Sequence, residues 1–166
     1  MFITVHAAAA TIIGKSIPNP FLAFLAGVLS HFILDLIPHG DSRMGKKFWA
    51  EKLKFLKDNG ELKMMALYGS IDSLVLAFFL IFIFKNFEFT RADNVIWAIV
   101  GSIIPDVTVA FYKIKELKAI KWFYKAHNKN HNILVNKINF DLPLQYGVLM
   151  QIIVLTLLTW VIYFIS

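Results

Sequence analysis

Residues 18–40 read PNPFLAFLAGVLSHFILDLIPHG, and this stretch decides how the rest of the chain is interpreted. Pro18–Ile37 holds no Lys, Arg or Glu and is mostly Phe, Leu, Ile, Val and Ala. A helix that crosses the hydrocarbon of a bilayer needs about 20 such residues. Proline suits the first turn of a helix, and Pro38-His39-Gly40 suits its end, so a helix is expected between them. Its last turns carry His31 and Asp35, with His39 and Asp41 just beyond. A membrane-length segment that ends in ionisable side chains calls for a chemical reason, because each is costly to take out of water.

The remainder agrees with a bilayer as solvent. Of 166 residues, 58% are hydrophobic and 17% charged, against about 25% charged in soluble domains. Three further windows have spanning character, at 64–84, 95–112 and 144–165, and residues 1–17 form a shorter apolar piece. No Lys or Arg precedes that first run, which argues against a secretory leader. The expected fold is a single all-α integral membrane domain over 1–166, with four to five transmembrane helices. Loops 38–63 and 113–142 hold most of the basic residues, seven between Arg43 and Lys63 and seven between Lys113 and Lys137. Positive charge marks the cytoplasmic side, so both loops and the N-terminus are expected there, in a cell (inner) membrane. In that setting a net charge of +6 is explained by topology and anionic lipid, and no nucleic-acid partner is expected. Within the loops, Trp49, Leu53 and Leu56 recur at helical spacing, as do Leu117, Ile120, Tyr124, His127 and His131. Both patterns suit amphipathic helices at the interface.

Placed on this topology, His6, His31, Asp35, His39, Asp72, Asp106, His127 and His131 fall in or beside the same half of the bilayer. His31 and Asp35 are four apart, as are His127 and His131, so each pair shares one helix face. Intramembrane carboxylates need partners, and the spanning cores contain no lysine to supply them. A divalent cation would neutralise several carboxylates at once and accept imidazole nitrogens. With no cysteine, His and Asp ligands fit Zn, Mn or Fe, zinc foremost. The expected ligands are His6, His31, Asp35, Asp72, Asp106, His127 and His131, with His39 or Asp41 moving protons. Structural roles stand beside these. His6 suits a buried or interfacial histidine, and Asp72, between Ser70 and Ser73, a helix-packing contact. Asp106 could serve a proline kink, and Asp41 a turn. Asp141 reads as a solvated loop charge, and 144–165, whose polar side chains include Gln151 and threonines but no charge, as scaffold.

"HFILDLIPH" resembles the H-x-x-x-D…P…H signature of zinc-dependent phospholipase C and related single-strand nucleases. "GSIIPD" and a later paired-histidine segment are similar to YdjM-type inner-membrane metal-dependent hydrolases. The resemblance covers four short islands, and "HNKNHN" stands where the membrane family carries H-R-G-x-T-H-S. It implies a helical metal-dependent hydrolase acting on phosphoesters such as phospholipid headgroups, with His31, Asp35, Asp106, His127 and His131 as ligands and His6 joining them. Zinc-protease H-E-x-x-H is absent, and two arginines are too few for an acid-phosphatase site. Two other readings stay open: a path for divalent cations or protons, and a purely structural metal. The far halves of the helices are nearly all apolar, which weighs against a path. Composition is silent on the oligomeric state.

Overall fold

A computed structural model describes residues 1–40 and 60–165. The expected surface helix around Trp49–Leu56, and Asp41, lie outside the described residues. Seven α-helices and one 3-10 turn are present in that range, without a strand: α1 Ile3–Ser16, α2 Pro20–Leu34, α3 Gly60–Asn86, α4 Ala92–Lys115, the turn Lys118–Ile120, α5 Lys121–His131, α6 Ile133–Ile138 and α7 Leu144–Ile165.

Three helices are long and apolar enough to cross a membrane: α3 over Ala66–Asn86, α4, and α7. Their outward surfaces are dense with exposed Phe, Leu and Ile, including Phe78, Ile81, Leu157 and Trp160. Water does not tolerate an apolar surface that continuous, whereas acyl chains do. The expected fourth span, 18–37, is different. Asn19 caps α2 by accepting from Leu22 N–H at 3.0 Å, with Pro20 in the first turn. The helix then stops at Leu34, because Asp35 is already its C-cap and Pro38 bars continuation. At 15 residues it extends about 22 Å, short of the roughly 30 Å hydrocarbon thickness. The 14-residue α1 is shorter still. These two form a hairpin packed beside α4.

Small residues let the hairpin approach closely. Ala7, Ala8, Ala10 and Ala23 have no exposed surface. Where α2 crosses α4 the backbones touch: a Cβ on Gly27 would overlap the Ala98 carbonyl, and one on Gly101 the Phe24 carbonyl. Such small-residue contacts drive helix association where lipid removes the hydrophobic incentive. At the tip of the hairpin, Asn94 Nδ2 donates to Ile17 O at 2.7 Å, and Lys15 donates to Ile165 O. Hence Lys15, Lys85 and Arg91 cluster at one end of the bundle. The lysines of 113–137 lie at the other.

At that second end α1 begins, and its orphan N–H groups are satisfied by other helices. Ile3 N–H donates to Asp72 Oδ2 at 2.5 Å and Thr4 N–H to Asp72 Oδ1 at 3.2 Å, while Phe2 N–H donates to Gln151 Oε1 at 2.6 Å. A carboxylate from α3 and an amide from α7 thus pin α1 in depth.

Candidate metal centre

Between α1, α2, α4 and α5 the ionisable side chains converge. His31 and Asp35 come from the end of α2, Asp106 from α4 and His127 from α5. Each offers an atom within one small sphere. His31 Nε2 lies 3.0 Å from His127 Nε2, 3.1 Å from Asp35 Oδ2 and 3.8 Å from Asp106 Oδ1. His127 Nε2 is 3.4 Å from both Asp35 Oδ2 and Asp106 Oδ1. A tetrahedral ion with arms of about 2.0–2.2 Å has ligand atoms about 3.3–3.5 Å apart. The observed separations bracket that spacing on either side.

Depth follows from α4. Asp106 is 14 residues beyond Ala92 and nine before Lys115, placing it about 21 Å from one end of the helix and 13 Å from the other. Pro105 is buried against the hairpin, and Asp106, 27% exposed, is the wettest member of the group. His31 and Asp35 are sealed at 0% and 1%.

Tautomers are set by backbone carbonyls. His31 Nδ1 lies 2.8 Å from Ser102 O, and His39 Nδ1 lies 2.6 Å from Ile37 O. A carbonyl only accepts, so Nδ1 carries the proton in each ring and Nε2 turns a lone pair toward the centre. Metal-binding histidines are commonly oriented in this way. His127 lies outside the membrane-spanning helices. Burial lowers its pKa, but hydrogen bonds to Asp106 and Asp35 outweigh this and raise it to about 9. A proton there closes one contact at a time, whereas a divalent cation would meet all four atoms together.

A second group adjoins the first. Asp35, His39 and His131 also offer atoms close enough to share an ion. Asp35 belongs to both groups, and its two oxygens face different neighbours. Oδ2 faces His31 and His127. Oδ1 lies 3.2 Å from His6 Nε2 and 2.9 Å from the Met1 amino nitrogen, which is itself 2.6 Å from His39 Nε2. His6 is fully buried and stacks on His31 with centroids 4.1 Å apart, yet neither of its ring nitrogens is hydrogen-bonded. A buried imidazole in that state is expensive.

Of the expected ligands, the structure brings His31, Asp35, Asp106 and His127 together, sets His131 beside Asp35, and places His6 against the far oxygen. Asp72 is in neither group, because both its oxygens serve the start of α1. His39, expected to move protons, stands instead among the ligand candidates of the second group. Three residues escaped the sequence reading. Gln151 Nε2 donates to His39 O at 3.4 Å while its Oε1 holds Phe2. Asp141, expected to be a solvated charge, is 5% exposed and accepts from Gly40 N–H at 3.0 Å. Asn130 Nδ2 donates to Phe32 O at 2.9 Å and ties α5 to α2. A glutamine in the middle of a mostly apolar helix was the available signal for Gln151; nothing local marked Asp141. No family model, no curated protein and no solved structure matches the chain.

Proposed function

We propose that the protein is a membrane-embedded metal-dependent hydrolase of phosphoesters, with its centre opening to the cytoplasmic face of an inner membrane. The observation that carries this reading is Asp35. It is a buried carboxylate that belongs to both ligand groups, with His31, His127 and His131 all on its Oδ2 side. A pair of cations held by such groups would supply the clamp used in in-line displacement at phosphorus. When bound, the metal would supply Lewis acidity toward water and toward a phosphoryl oxygen.

The chain's residues supply the rest. His31, Asp35, Asp106 and His127 would hold one ion, and Asp35, His39 and His131 the other, with His6 beside the shared carboxylate. Ser102 O and Ile37 O keep the histidine Nε2 atoms aimed inward. Asp106, the least buried member at 27% exposure, is the residue best placed to exchange a proton with water and substrate. The kinship to phospholipase C-like and YdjM-type hydrolases belongs to this proposal and rests on the motifs alone. A closed structural site would require its ligands all sealed; the exposure of Asp106 favours chemistry.

Metal analysis of the purified protein tests the reading directly. Stoichiometric zinc, or another divalent ion, is expected in wild type, with loss in His31→Ala and Asp106→Ala. Hydrolysis by wild type of one member of a panel of phospholipids and phosphodiesters, lost in Asp106→Ala, completes it. A folded wild type that binds no divalent metal would sink it.

A further inference from the structure

Two of the proposed ligands, His127 and His131, are carried by α5, and this helix is weakly attached to the bundle. Phe123 meets Phe32 edge-on at 6.2 Å, Tyr124 stacks on Tyr112 at 4.5 Å, and Asn130 reaches the Phe32 carbonyl. The helix has 11 residues, below the roughly 12–15 at which an isolated helix becomes even marginal in water. Its position therefore depends on what its faces touch.

Successive residues turn by about 100°, so Lys121, Lys125 and Lys129 fall within about 80° of one another. His127 and His131 centre about 140° away from that stripe. All three lysines are exposed, as are Lys118 and Trp122, the latter at 69%. No Asp or Glu occurs between residues 117 and 140, and Ile133, Ile138 and Phe140 add exposed apolar surface alongside. The segment is bracketed by two membrane-crossing helices, α4 ending at Lys115 and α7 beginning at Leu144. It is thereby confined to one membrane surface. A cationic stripe flanked by Trp, Ile and Phe at that depth matches anionic headgroups in charge and the acyl boundary in polarity.

We propose that α5 is a latch whose lysine stripe binds anionic phospholipid headgroups, and that this binding and the metal loading of His127 and His131 reinforce one another. The proposal rests on the metal reading above. Lipid holds the outer face at the surface, which places the two imidazoles over Asp35 and Asp106. Metal holds the inner face, which presents the lysines. Linkage is reciprocal, so each ligand tightens the other by the same factor.

The test uses the full chain in nanodiscs and zinc as the probe, with affinity read by competition against a chromophoric chelator. Wild type in phosphatidylcholine containing about a third phosphatidylglycerol should bind zinc about tenfold tighter than in phosphatidylcholine alone, within the range typical of such couplings. The triple variant K121Q/K125Q/K129Q should lose that gain while still binding zinc. Reciprocally, zinc should raise phosphatidylglycerol retention by detergent-purified wild type, and not by the triple variant. Equal gains in wild type and the triple variant would mean that the charged bilayer merely concentrates zinc, and would overturn the latch. So would equal zinc affinities for wild type in the two lipids. A wild type that binds no zinc in either lipid would overturn the metal reading itself.

Discussion

At His31 a single backbone carbonyl decides which nitrogen faces the site. Ser102 O accepts from Nδ1–H, which leaves Nε2 as the nitrogen that faces Asp35 and His127. His31→Ala should therefore lower zinc affinity beyond the roughly 10–100-fold that loss of an outer-shell partner costs, measured by chelator competition. His127 sets the pH response. Its pKa of about 9 in the metal-free protein means that zinc must displace a proton at neutral pH. Zinc affinity should fall about tenfold per pH unit below about 9 from this group alone, and a flat profile between pH ~6.5 and 8.5 would contradict it. The sign reverses for stability of the metal-free protein. A raised pKa stabilises below the unfolded value of about 6.5, and that contribution fades as pH climbs through about 9. Asp72 offers the contrasting case. Asp72→Asn should keep full metal content and lower Tm, since it weakens the acceptor for Ile3 and Thr4 N–H, at about 1–3 kcal/mol. Lost metal would return Asp72 to the ligand set.

Among the elements, the contact between α2 and α4 governs the site, because His31 and Asp35 ride on one and Asp106 on the other. Gly27 and Gly101 permit backbone contact there. Gly101→Val should push the helices apart against the Phe24 carbonyl, at about 1–3 kcal/mol or more. Thermal unfolding in detergent would register the loss, and metal content should fall with it although no ligand is altered. A 15-residue helix that ends in Asp35 places its carboxylate at depth only because α1, α4 and α5 surround it. Helical period alone brought out the stripe from Leu117 to His131; α5 carries its part from Tyr124 to His131, through Asn128–Asn130, while Leu117 is extended and Ile120 lies in the 3-10 turn before the helix. The end of α2 at Leu34 was less visible, since Asp35-Leu36-Ile37 continues the apolar pattern and only Pro38 announces a stop.

For the whole molecule, charge separates the two ends: Lys15, Lys85 and Arg91 at one, the lysines of 113–137 and the metal centre at the other. The absence of cysteine makes labelling straightforward. A cysteine replacing Lys129 should react with an impermeant maleimide only in inverted vesicles, and one replacing Arg91 only in right-side-out ones. The same face for both would overturn the topology.

What the sequence by itself determined is the solvent, the helical class, and the residue types available for chemistry. Those follow from transfer free energies and helical period, which are local sums over neighbouring residues. It also singled out His31, Asp35, Asp106, His127 and His131, because ionisable groups in an apolar chain are costly wherever they fall. Only the tertiary structure decided the rest. It turned Asp72 into a cap, made His39 a ligand candidate, and brought Gln151 and Asp141 beneath the site. It also placed Asp35 in both candidate groups. Those assignments depend on contacts between residues up to 149 positions apart, as in Phe2 with Gln151. Helix packing determines such contacts, and no local pattern encodes them.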